Sequence, residues 1–266
     1  MSRNFELLQQ LGKEEVLLGA EPVAAPVIEE KAPRLVSEPI LSRPMVTEPV
    51  FTEPQLELNT AELEQLTKLT QRIFMMPDSS PRVVVFTATE SGNGCSWICA
   101  RAAELLASQS TGSVCLVDAN LRSPGLHQQF GVENRYGLAD ALRGSDPMGS
   151  FAKAMSRPNL WLVSSGSSPE QSLPLLGSDR MRQRIAEMRA HTDYVLIDAA
   201  GLNVSNDAAT LAAAADGVVL VLKANSSRRE TVRKTVHELQ AAKISVLGAV
   251  LNQRTFPIPE SVYKRL

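Results

Sequence analysis

The chain has 266 residues and a formal net charge of −2, enough length for one large α/β domain with something smaller beside it and no bulk electrostatic pull toward nucleic acid. Its three cysteines, Cys95, Cys99 and Cys115, are odd in number and lack framework spacing, which argues against a disulfide scaffold and fits a reducing cytoplasm. No apolar run approaches the roughly 18 residues of a membrane span, and the opening MSRNFELLQQLGKEE lacks the apolar core of a secretory signal, so a soluble cytoplasmic protein is expected.

Residues 4–18 read as a short amphipathic helix, with Phe5, Leu7, Leu8 and Leu11 at helical spacing. Such a helix is marginal alone in water. It is either a frayed end or a docking element for a partner or a second copy. Residues 19–58 hold seven of the sixteen prolines and carry an internal repeat, SEPIL, SRPMV, TEPVF, TEPQL, over 37–56. Proline removes a backbone donor and keeps its predecessor out of the helical region. The segment is therefore expected to be an extended, disordered linker, serving as a tether or as a recognition element. Residues 1–58 are also acidic, with ten Glu against five Lys and Arg.

Order is expected from residue 59. Asn59 with Glu62 resembles a capping box, and Leu63, Leu66, Leu69 and Ile73 form an apolar stripe. The spacing predicts a helix over about 60–75. Six apolar runs then read as strands: 82–88, 113–119, 160–164, 193–199, 217–223 and 246–251. Their near-continuous apolar character is that of strands covered on both faces. Helical patterns fall between them at 96–109, 123–130, 178–190, 205–215 and 227–242. The alternation predicts a doubly wound, mostly parallel sheet with right-handed crossovers. Ligands in such sheets bind at the carboxyl ends of the strands.

Three polar clusters stand at such ends. The first is the loop ESGNGCSW, residues 90–97, between a strand and a helix. Small residues there let backbone N–H groups approach phosphate oxygens, and the helix start favours an anion. Gly92, Gly94 and Ser96 sit at the offsets of a phosphate loop, whose lysine reaches the β- and γ-phosphates and whose Ser/Thr hydroxyl meets Mg²⁺. Cys95 occupies the lysine position, Trp97 follows the serine, and Glu90 stands five residues before Cys95. A thiol at a helix N-terminus is expected to have a lowered pKa and to react if exposed. Cys99, one turn on, reads as a core residue.

The second cluster follows Asp118 in VCLVDANLRSPGL, residues 114–126, with Asn120 and Arg122 just beyond. A carboxylate there could hold a Mg²⁺-bound water, orient a nucleophile, or simply cap the next turn. The third is Asp198, ending YVLID as the acidic residue of a Walker B element does. It could accept hydrogen bonds from Mg²⁺ waters or belong to an ordinary strand-end turn. Asn252, after the last strand, could read an adenine edge or serve turn chemistry.

Taken together these segments resemble the bacterial tyrosine kinase family of capsule and exopolysaccharide biosynthesis and, more distantly, the Min/Par-type ATPases of the P-loop superfamily. The specific stretch is VDANLRSPGLHQQFGVENRYGLADAL, residues 117–142, similar to the family's extended Walker A′ element; DYVLID and LGAVLNQRTFPIPESVYKRL fit its later half. The likeness covers about residues 60–266 and the first dozen. The repeat linker lies outside it, so the chain divides into three expected segments: an N-terminal helix over 1–18, the linker over 19–58, and a phosphate-loop domain over 59–266. The likeness implies ATP or ADP and Mg²⁺ as cofactors. The nucleotide would meet Gly92, Asn93, Gly94, Cys95, Ser96, Trp97 and Asn252. Asp118 and Asp198 would be catalytic, and both would hold the metal with Ser96.

The departures fall on the chemistry. The lysine is Cys95, the second Walker A′ aspartate is Asn120, the turn after Walker B is AAG at 199–201, and the C-terminal tyrosine cluster is missing, the three tyrosines being Tyr136, Tyr194 and Tyr263. The resemblance then implies a regulator of polysaccharide assembly or export with weakened or absent kinase activity. The alternative is an active tyrosine autokinase or ATPase with an atypical site, Tyr263 as acceptor, and another cation, such as Arg122 or a neighbouring subunit's, in place of the lysine. A third reading is a redox switch at Cys95. The implied partner is a membrane polysaccharide co-polymerase or another polysaccharide-assembly protein, which could recruit the chain to the inner face of the membrane. Self-association is open, and no nucleic-acid partner is expected.

Overall fold

The computed structural model describes residues 60–75, 80–167 and 169–254. The expected N-terminal helix, the repeat linker and Tyr263 lie outside them. Seven strands form one sheet: β1 (Val83–Ala88), β2 (Val114–Asp118), β3 (Ala152–Ala154), β4 (Leu160–Val163), β5 (Tyr194–Asp198), β6 (Gly217–Lys223) and β7 (Val246–Asn252). Their spatial order is β3-β4-β2-β5-β1-β6-β7. Every neighbouring pair is parallel except β3 with β4.

Burial on both faces explains the unbroken apolar runs. All six side chains of β1 are buried. Val83 and Val85 enter one core cluster, while Val84, Phe86 and Ala88 enter the other, the alternation of a strand with period two. The second of these faces is covered by α1 (Thr60–Phe74), α2 (Cys95–Gln109) and α3 (Leu126–Gln129). The first is covered by α4 (Leu138–Arg143), α5 (Asp179–His191), α6 (Asp207–Ala212) and α7 (Arg229–Ala241).

Helix α1 forms where its stripe predicts. It buries Leu66, Thr70, Ile73 and Phe74, and the Thr70 hydroxyl is satisfied within the helix by the Leu66 carbonyl at 2.8 Å. Phe74 meets Tyr194 edge to face, 5.8 Å between ring centroids, which ties the helix to the start of β5.

Several elements differ from expectation. The helix foreseen over 123–130 shrinks to the four residues of α3, because Pro124 and the turn at Ser123 use its first half. The antiparallel edge strand β3, the six-residue α4 and a 3-10 segment over Pro169–Gly177 were not foreseen. Each is too short, or in the last case too interrupted by Pro174, to express a period.

Candidate phosphate-loop site

The strand order places β5 between β1 and β2, so the three polar clusters meet. Asp118 and Asp198 are register partners on β2 and β5, and Phe86 of β1 pairs with Asp198 on the other side. The phosphate-type loop, residues 89–94, leaves β1 at the same edge and enters α2.

The loop's shape comes from its glycines and one asparagine. Gly92 and Gly94 both have φ of 82°, a left-handed conformation that costs any residue with a Cβ. A Cβ on Gly94 would also run into the Asn252 amide nitrogen. Asn93 is buried, and its amide donates to the Val221 carbonyl at 3.1 Å, which anchors the loop to β6. Asn252 donates from Nδ2 to the Asn93 carbonyl at 2.9 Å, and its Oδ1 accepts the N–H of Gln253 at 2.8 Å. Its side chain is thus engaged in holding the loop from the edge strand. On the other flank Gly201 lies against the backbone of Glu90 and Ser91.

The fit of the loop to an anion can be judged from its donors. Helix α2 has no side-chain cap. Its first intrahelical bond is from the Ile98 N–H to the Gly94 carbonyl. Among the described residues the N–H groups of Gly94, Cys95, Ser96 and Trp97 have no backbone acceptor. Four consecutive donors and the positive end of a 15-residue helix are what a phosphate requires. Trp97 is half-buried and packs against the core cluster beneath α2.

The carboxyls supply the opposite signal. Asp118 is fully buried. Its Oδ2 accepts the N–H groups of Gly125 and Leu126, both at 3.1 Å, so it does cap the following turn, while its Oδ1 has no partner. Asp198 is also fully buried, and neither of its oxygens has a hydrogen bond of full geometry. Burial first, and the Asp118 charge second, raise its pKa well above the carboxylate range. The Ser96 hydroxyl and the Cys95 thiol face it and offset part of that rise. Asp118 is raised by burial against the opposing pull of its backbone donors. Buried carboxyl oxygens left without partners beside a serine hydroxyl suit a hydrated divalent cation. No trio of His, Cys, Asp or Glu among the described residues is arranged to hold a metal alone, so such a cation would need phosphate oxygens and water to complete its shell.

The expected lowering of the Cys95 pKa is overturned. Burial and then the Asp198 carboxyl raise it well above the usual thiol value. A helix end supplies about half a charge; a carboxyl beside the sulfur in a desolvated site outweighs it. Cys99 is fully buried, as expected, and its thiol is raised by burial and by both carboxyls. Cys95 keeps partial exposure, but a raised thiol pKa disfavours the reactive thiolate and weighs against the redox reading.

One residue of this edge escaped the sequence reading, and another entered it only as part of the AAG turn. Asp207, at the start of α6, forms an ion pair with Arg122, Oδ2 to Nε at 3.0 Å. Its only sequence signal, an acid in a first helical turn, is ordinary. Gly201 reads as part of a loop until the contact with the phosphate-type loop is seen.

The architecture and the loop have known counterparts. No protein-family model matches the chain. Tyrosine-protein kinase YwqD of Bacillus subtilis is 32% identical over 179 residues, covering 67% of this chain and 75% of YwqD. The chain belongs to the bacterial tyrosine kinase family. EpsB of Ralstonia nicotianae is 35% identical over 193 residues, 71% of this chain and 25% of EpsB. The succinoglycan biosynthesis transport protein ExoP of Rhizobium meliloti is 32% identical over 182 residues, 67% of this chain and 23% of ExoP. The chain thus spans about a quarter of the length of these two relatives. Among solved structures, the kinase domain of Escherichia coli tyrosine kinase ETK aligns with a TM-score of 0.66 at 24% identity, over 74% of this chain and 79% of that one. The septum site-determining protein MinD of Pyrococcus horikoshii, complexed with Mg-ADP, aligns at 0.56 with 21% identity, over 69% and 76%. These likenesses carry the fold, a P-loop kinase-type α/β sheet. Among the described residues of this bacterial tyrosine kinase homologue, no helix is long and apolar enough to cross a membrane.

Proposed function

We propose that the chain is a bacterial-tyrosine-kinase-type domain that binds nucleotide phosphate weakly, has lost most or all phosphoryl transfer, and regulates exopolysaccharide or capsule assembly through a partner. The observation that carries this reading is the Cys95 thiol facing Asp198, at the place where a working loop puts a cation. The unpaired N–H groups of Gly94 to Trp97 support retained affinity for a phosphate. The loss of the lysine charge supports weakened catalysis. Phosphoryl transfer is largely positioning and charge stabilisation, and losing one such stabilising group from a site costs about 3–4 kcal/mol, or 10²–10³ in rate.

In this reading Gly92, Asn93 and Gly94 shape the cradle, and the backbone from Cys95 to Trp97 holds the phosphates. Asn252 keeps the cradle closed from the base side. Ser96 with Asp118 and Asp198 would hold Mg²⁺, which when bound neutralises phosphate charge. Asp198 must lose its proton to do so, and Asp118, whose Oδ1 has no hydrogen-bond partner, would orient an attacking group. One relative, ExoP, is named for succinoglycan biosynthesis transport, which supports a membrane co-polymerase or similar assembly protein as partner and recruitment to the cytoplasmic membrane face through it.

The test pairs ATP·Mg²⁺ calorimetry with phosphotyrosine detection on wild type, Cys95→Lys and Asp118→Ala. Weak binding that tightens in Cys95→Lys, with little phosphotyrosine in wild type, supports the reading. Tight binding with robust autophosphorylation that Asp118→Ala abolishes would replace it with an active kinase.

A further inference from the structure

The loops that follow β1, β2 and β5 span residues 89–94, 119–125 and 199–206. They surround the phosphate-type cradle and the two buried carboxyls. Together they contain one Lys or Arg, Arg122. Lys223, Arg228 and Arg254 lie at the ends of β6 and β7 or just after them. Among the described residues of these three loops, which flank the N–H groups, the two carboxyls and the thiol, Arg122 is the one permanent cation.

Arg122 is held but not consumed. Its Nε meets Asp207 Oδ2 at 3.0 Å, with the two side chains 39% and 19% exposed. The same Asp207 oxygen accepts the Ser205 hydroxyl at 2.7 Å. Among the described residues the two terminal nitrogens of Arg122 have no acceptor. A guanidinium with its fork free is suited to bidentate contact with phosphate oxygens. A partly exposed ion pair is a weak restraint. A triphosphate offers more charge and more oxygens than one carboxylate already shared with a serine.

We infer that Arg122 is the surrogate cation for the nucleotide's terminal phosphates in place of the absent loop lysine, and that Asp207 holds it in reserve at the rim of the site. This rests on the phosphate-site reading above. It assigns Arg122 a binding role and Asp207 a restraining one, with opposite consequences on mutation.

The test is titration of the full chain with ATP and with AMP, both with Mg²⁺, for wild type, Arg122→Gln, Asp207→Asn and the double variant. Arg122→Gln is expected to weaken ATP about tenfold and leave AMP unchanged, since AMP lacks the terminal phosphates. Asp207→Asn, which keeps an acceptor for Ser205, is expected to tighten ATP several-fold. That gain must vanish in the Arg122→Gln background. Equal ATP affinity in wild type and Arg122→Gln, or a gain that survives in the double variant, overturns the inference. If Cys95→Lys binds ATP and wild type does not, the phosphate site is real and Arg122 is no surrogate. If neither binds, the phosphate-site reading itself fails and takes the inference with it.

Discussion

Asp118 and Asp198 stand side by side as register partners on parallel strands, both fully buried, with three of their four carboxyl oxygens lacking a hydrogen-bond partner. Two adjacent buried carboxyls without a cation are held at a cost to the fold. In the proposed reading a hydrated cation held with nucleotide phosphates would offset that cost.

The cost gives a pH signature. The folded pKa of Asp198 lies above its unfolded value, so between the two the native state binds more protons than the unfolded one. Stability therefore falls as pH rises from the ordinary carboxylate range toward the raised value. Asp198→Asn removes this term. The expected outcome is a gain of about 1–3 kcal/mol near pH 8 and a smaller difference in Tm between pH 5 and pH 8 than in wild type. Thermal melts in metal-free buffer check it; a wild type more stable at pH 8 than at pH 5 would contradict it.

Thiol reactivity follows from the same geometry. The native protein at pH 8 is expected to alkylate slowly, because all three thiols are raised, Cys95 and Cys99 by burial and the neighbouring carboxyl, Cys115 by burial to about 12. Asp198→Asn should speed labelling at Cys95 by removing the negative neighbour. Mass-spectrometric time courses with iodoacetamide read both. Rapid labelling of Cys95 in wild type would disprove the carboxyl's control of the sulfur.

The two loop glycines separate conformation from contact. Both have φ of 82°, but a Cβ on Gly92 enters open space while one on Gly94 meets Asn252. Gly92→Ala should cost about 1–2 kcal/mol, the left-handed penalty alone. Gly94→Ala should cost more, and adding Asn252→Ala should recover part of the difference. Equal losses for the two glycines, measured by denaturant unfolding, would mean that the Asn252 contact is dispensable.

Helix α1 is an integral part of the domain if its burial is meaningful. Phe74 is 1% exposed and packs edge to face on Tyr194. Phe74→Ala should destabilise the protein by about 3–5 kcal/mol. A loss under 1 kcal/mol in equilibrium unfolding would place α1 outside the cooperative core.

The sequence by itself determined the alternation of strands and helices, because strands buried on both faces must be apolar throughout and crossover helices must not. It also placed Asp118, Asp198 and the Gly92–Ser96 loop at strand ends, since a polar residue closing an apolar run can only emerge there. It marked Asp118 as a cap or a catalytic acid without deciding, and the structure shows the cap on one oxygen and leaves the other free. Tertiary structure alone decided the rest. Only the order of strands, with β5 inserted between β1 and β2, makes two aspartates 80 residues apart in the chain into neighbours. Burial, and after it that neighbour, reverse the Cys95 pKa that its helix position predicts, because desolvation and an adjacent carboxyl together outweigh the half charge of a helix end. The partnership of Arg122 with Asp207 was equally invisible, since two loops joined by no local pattern meet only when the sheet brings their strands together.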